Sequence, residues 1–187
     1  MFTDWHLLFV PALVATVLVF VASSIIHMVI QWHAPDYKKF SNEDEVRAAI
    51  RKSNAAPGEY ILPHCKDGKE MADPAMQKKF EEGPLGVVYL RANGATKLGP
   101  FLGAWIVYTF VISLLVAYVG WSVLPRGASY LKVFQVIGAT AWLAYAWGGP
   151  SDSIWKGKPW MATFRGLVDG LVYASLTAGA FAWLWPD

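Results

Sequence analysis

Residues 7–30 read LLFVPALVATVLVFVASSIIHMVI, a stretch without one Asp, Glu, Lys or Arg. A bilayer core of about 30 Å is crossed by about 20 helical residues, so this run is long enough to span. The residues ahead of it carry no Lys or Arg, and the run exceeds the length of a signal-peptide core. It is therefore expected to remain as an anchor rather than be cleaved. Pro11 falls near its start, where a bend is tolerated.

Outward from this run, three further apolar stretches follow. Residues 101–124 are free of formal charge and closed by Pro125, residues 133–149 begin beside Lys132, and residues 166–185 contain a single charge, Asp169. Trp32, Trp121, Trp147, Trp183 and Trp185 stand at the ends of these runs, where a half-apolar ring with one N–H suits the headgroup level. The expected fold class is an all-α integral membrane protein. It has four transmembrane helices and a small α+β extramembrane insert between helices 1 and 2. The expected segments are 1–33 (first helix), 34–98 (soluble insert) and 99–187 (helices 2–4 with interfacial connections).

Composition agrees: 55% of the 187 residues are hydrophobic, 15% aromatic and only 16% charged, against about 25% charged in a soluble domain. A disordered tail, a collagen-like rod and a disulfide scaffold are excluded, and the single cysteine, Cys65, forbids an internal disulfide. A net charge of +2 without a basic patch gives no reason to expect nucleic acid. All Lys and Arg except Arg126 and Lys132 lie in the insert or in the connection between the third and fourth runs. By the positive-inside rule both segments are expected in the cytoplasm, with both termini outside. The short connections alone point the same way, Lys156, Lys158 and Arg165 outnumbering Arg126 and Lys132.

The insert reads as alternating short elements. Ser41 and Asn42 precede Glu43, Asp44 and Glu45, the chemistry of a helix start, and a helix is expected to about Lys52. Pro57-Gly58 breaks it, and residues 59–62 read as a strand. Asp73-Pro74 starts a second helix, Gly83-Pro84 stops it, and residues 85–90 (LGVVYL) form the better strand.

Candidate chemistry is sparse. Asp169 lies about one turn into the fourth run; intramembrane acids face protein or a cavity and often serve transport. The plainer reading pairs it with Arg165 on the same helix face. Gln135 is a further polar residue within a span. Gly166, Gly170, Ala174, Ala178 and Ala182 form a ridge of small residues at every fourth position, which lets another helix approach closely. His27, near the end of the first run, is a candidate ligand for haem or a pigment, or else an interfacial histidine bonded to a neighbouring helix. His64-Cys65 offers a nucleophile or metal ligands, with His33 as a further donor. No Cys-x-x-Cys, His-x-x-x-His or Glu-x-x-His spacing is present, so no metal site is expected. Trp155, Lys156, Lys158, Trp160 and Arg165 mix rings with cations as a membrane interface does. No phosphate loop, dinucleotide fingerprint or serine elbow occurs.

Three functions fit. The first is a non-catalytic accessory or assembly subunit of a larger membrane complex, such as an electron-transfer or pigment-containing one, with lipid and other membrane subunits as partners. The second is a small oligomeric transporter or channel using Asp169. The third is a membrane-interface enzyme using His64 and Cys65.

Overall fold

The structure, a computed structural model, describes the backbone of residues 5–187 and the side chains from residue 6. The start of segment 1–33, and with it the placement of the N-terminus, lies outside the described residues.

The chain is mostly helical with one two-stranded sheet, and its contacts divide it into two units. One runs through Tyr37 and takes in Lys97–Ser153 and Lys158–Asp187; the other is Lys38–Thr96 with Ile154–Gly157. The division differs from the expected 34–98 at both ends. Residues 34–37 stay with the helices because Asp36 is bonded to Arg165. The short piece 154–157 goes with the insert because Lys156 Nζ meets Glu59 Oε1 at 3.0 Å and Tyr89 Oη at 3.0 Å.

In the helical unit, a 3-10 turn (Trp5–Leu8) leads into α1 (Phe9–Ser24), which continues as a π-helical turn (Ile25–Ile30). A short 3-10 turn, Ala34–Asp36, follows. The other long helices are α5 (Leu98–Val123), α6 (Tyr130–Ala146) and α8 (Trp160–Trp183). Two helices, His6–Ile30 and Leu98–Val123, are long and apolar enough to cross a membrane. The third helix is displaced rather than shortened: α6 runs from Tyr130 to Ala146 against the expected 133–149, and a further helix, α7 (Gly149–Lys156), follows in the connection.

Each long helix packs on two others, α1 on α5 and α8, and α6 on α5 and α8. The centre holds Val19, Val116, Val133, Ile137 and Phe181, each at most 1% exposed. Small and hydroxyl residues share it: Thr16, Ser113 and Thr177 are buried, each donating its hydroxyl to the carbonyl four residues back. Large apolar side chains face outward instead, among them Val10, Leu13 and Val17 on α1 and Val107, Val111 and Leu115 on α5. The closest pairing is α6 with α8. A Cβ built on Gly170 would lie 2.5 Å from Ala146 Cβ, and one on Gly138 would lie 3.3 Å from Ala178 Cβ. Absent side chains at those two positions are what let these backbones meet.

The smaller unit holds α2 (Glu43–Lys52), β1 (Gly58–Leu62), α3 (Gly68–Met71), α4 (Pro74–Glu82) and β2 (Gly86–Leu90). The strands are antiparallel, with Tyr60 opposite Val88. Asp73 caps α4 by accepting from the Ala75 amide at 2.8 Å. Asp67 caps α3 in the same way, through the amides of Lys69 and Glu70.

Candidate functional site

On a straight α-helix, His27 and His33 would lie roughly 120° apart around the axis, since six residues advance about 600°. Two departures from the straight helix cancel that separation. The π turn after Ser24 shifts the side-chain register. Gln31 then takes a left-handed conformation (φ 53°, ψ 30°) while its amide donates to Ile26 O at 2.9 Å. A non-glycine residue in that region is uncommon and costs of order 1–2 kcal/mol. The turn folds Trp32 and His33 back beneath the helix end. The His27 and His33 rings stack with centroids 4.9 Å apart.

Residues 32–36 then face one side of α8, on which Arg165 and Asp169 stand one turn apart. Basic and acidic side chains alternate along this contact. Arg165 Nη1 bonds Asp36 Oδ1, Asp36 Oδ2 meets His33 Nδ1 at 2.8 Å, and His33 Nε2 meets Asp169 Oδ2 at 2.7 Å. Trp32 Nε1 donates to Asp169 Oδ1 at 3.1 Å. His27 Nε2 lies 3.6 Å from Asp169 Oδ2 and 3.4 Å from Tyr173 Oη. The Asp169 side chain is only 7% exposed, so its two oxygens are served almost wholly by these groups. Burial works to raise the Asp36 carboxyl; the bond to His33 and the charge of Arg165 outweigh it and hold the carboxyl below its ordinary range.

Beside this cluster lies a cavity of about 680 Å³, lined by His27, His33, Asp36, Asp169, Arg165's neighbour Gly166, and the rings of Trp105, Tyr145 and Tyr173. Trp105 is oriented by donating Nε1–H to Ser23 Oγ at 2.9 Å, and its ring meets Tyr173 edge-on at 6.0 Å. The lining combines acceptors and lone-pair donors with the rings of Trp105, Tyr145 and Tyr173, groups that suit a cation, and also includes Lys158.

The residues singled out in the sequence scatter differently from their spacing. Arg165, expected to pair with Asp169 on its own helix, bonds Asp36. Trp32, expected at the headgroup level, serves Asp169. The His27 nitrogen that a haem or pigment would need is turned toward Asp169 and Tyr173. Gly170, Ala174, Ala178 and Ala182 are buried, while a Cβ on Gly166 would meet nothing within 4 Å; there the ridge opens into the cavity. Gln135 is exposed on α6 and Trp160 is exposed at the start of α8. Lys158 lines the cavity. Trp155 and Lys156 lie in the smaller unit, as does His64-Cys65, whose histidine is exposed. Among the described residues, the donors gathered closely enough to share an ion are His27, His33 and Asp169, where spacing alone led to no expected metal site. Sequence reasoning missed the joint role of Trp32, His33 and Asp36. The available signal was Asp169 itself, which needs donors in an apolar run and has few histidines to choose from.

Comparison with protein-family models, curated proteins and solved structures finds no match to the chain.

Proposed function

We propose that the chain is an integral membrane protein that crosses the bilayer four times, through α1 with its π turn, α5, α6 and α8. Its working part is the Asp169–His33–His27 centre, at which it binds a small cation delivered through the adjoining cavity. One observation carries this reading: donors from opposite ends of the chain meet around one point beside a cavity, at the cost of a left-handed Gln31. Outward-facing Val, Leu and Ile along α1 and α5 support the spans, as does the interior of small residues. The Lys and Arg distribution supports a cytoplasmic insert, and the centre then opens on the cytoplasmic side. This is the transport-type expectation built on Asp169, with His33 and His27 joining it. The accessory-subunit expectation rests on the lack of catalytic motifs, the aromatic content, the small-residue ridge and the insert as a docking module; the ridge packs on α6 of the same chain.

The test is thermal unfolding of the full chain in mild detergent against a panel of cations: Na⁺, K⁺, Mg²⁺, Zn²⁺ and tetramethylammonium. A cation present at about 100 times its Kd stabilises by about 2.7 kcal/mol, so a clear rise in Tm is expected with at least one. The rise should vanish in Asp169→Asn. No rise with any cation refutes the reading.

A further inference from the structure

The count of protons at His33 is informative. Both of its ring nitrogens face carboxylate oxygens, at 2.8 and 2.7 Å, and a carboxylate only accepts. An imidazolium would satisfy both contacts by donating twice; a metal ion satisfies them with a neutral ring, Nε2 and Asp169 Oδ2 each giving a lone pair to the ion while Nδ1–H donates to Asp36. We propose that His27 Nε2, His33 Nε2 and Asp169 Oδ2 form a site for a first-row divalent transition-metal ion, with one further position open to the cavity. The proposal rests on the cation-binding reading above and names its cation.

Three features carry it. One ligand atom from each of His27, His33 and Asp169 lies within 4.8 Å of the others. Bonds of about 2.0–2.1 Å in a tetrahedral site put ligand atoms about 3.3 Å apart, and the two ligand separations to Asp169 Oδ2, 2.7 and 3.6 Å, straddle that value. Two imidazoles with one carboxylate suit zinc, iron or cobalt; Mg²⁺ and Ca²⁺ take oxygen sets. The surroundings are those of metal ligands. A ligating histidine nearly always donates its other N–H to a carboxylate or carbonyl; Asp36 receives it here and is itself held by Arg165. Trp32 occupies Asp169 Oδ1, leaving Oδ2 for the ion. Three protein ligands leave a place for water or a substrate atom, and His27, His33 and Asp169 all line the cavity.

The experiment uses the full chain in mild detergent, stripped with a chelator and titrated with Co²⁺ and then Zn²⁺. One Co²⁺ per chain is expected, with visible absorption that azide shifts and Zn²⁺ abolishes. His27→Gln, whose parent side chain is 48% exposed and so tolerant of change, should lose the spectrum with its helical circular dichroism intact. His33→Gln should do the same. Asp36→Asn should keep the spectrum while affinity falls about 10–100-fold, marking Asp36 as a positioning residue. Loss of the signal in Cys65→Ser or His64→Ala, with retention in both His27→Gln and His33→Gln, would overturn the assignment. Bands indifferent to azide would overturn the open position. Stabilisation by Na⁺, K⁺ or tetramethylammonium without Co²⁺ or Zn²⁺ binding would overturn this inference and leave cation binding standing. No response to any cation would remove both.

Discussion

Gly170→Ala should damage this protein more than any other single-methyl addition at a helical glycine. The added Cβ would stand 2.5 Å from Ala146 Cβ, 3.3 Å from its Cα and 3.4 Å from its amide nitrogen. Ordinary contact begins at about 3.5 Å, so α6 and α8 must part by about 1 Å where they are closest. None of the opposing atoms belongs to a flexible side chain, so no rotamer change relieves the clash. Overpacking of this kind costs about 1–3 kcal/mol. Two controls bracket it. At Gly166 a Cβ meets nothing within 4 Å, so Gly166→Ala should be neutral or stabilise by up to about 1 kcal/mol through helix propensity. At Gly120 the nearest atom, at 2.6 Å, is Cδ1 of Ile137, a side-chain terminus that can rotate, so Gly120→Ala should fall between. The assay is reversible unfolding in mixed micelles, with a double-mutant cycle on Ala146→Gly. That change removes the opposing Cβ and should recover most of the Gly170→Ala loss, giving a coupling of about 1 kcal/mol or more. Additive effects, or a Gly166→Ala loss equal to that of Gly170→Ala, would refute the close approach of α6 and α8.

Trp32→Phe keeps an aromatic ring but removes the N–H that reaches Asp169 Oδ1; thermal stability should fall by about 1–3 kcal/mol, and an unchanged Tm would show that this contact is not formed. Asp73→Ala removes the acceptor for the Ala75 amide and should cost about 1 kcal/mol, seen as faster hydrogen exchange confined to residues 74–82. Cys65 lies in the smaller unit and is half-buried. A membrane-impermeant maleimide should label it in inside-out vesicles and spare it in sealed right-side-out ones; the reverse pattern would invert the proposed orientation.

Much of the architecture is already written in local chemistry. A run such as 7–30 cannot leave its backbone groups unpaired in an apolar setting, so it must be helical wherever it lies. Pro57-Gly58, Asp73-Pro74 and Gly83-Pro84 bound α2, β1, α4 and β2 as expected because each acts on its own backbone, whereas the short α3, capped by Asp67, is not among the expected elements. The small-residue ridge of α8 could be read as a packing face for the same reason. Its partner could not, because Gly170 says only that something approaches closely, and α6 is that neighbour.

The centre belongs to the tertiary structure. Arg165 and Asp169 share a helix face, so a one-dimensional reading pairs them. Folding offers each a different partner from residues more than a hundred positions away, and the buried Asp169 takes the donors it can reach. His27 and His33 sit about 120° apart around a straight helix, and the π turn with the left-handed Gln31 stacks them. Periodicity describes regular helices, whereas this site is built on a departure from one. Residue types, long apolar helices and turns follow from the sequence itself because they depend on near neighbours. Which donors meet Asp169 follows from the packing of α1 against α8, which no local pattern encodes.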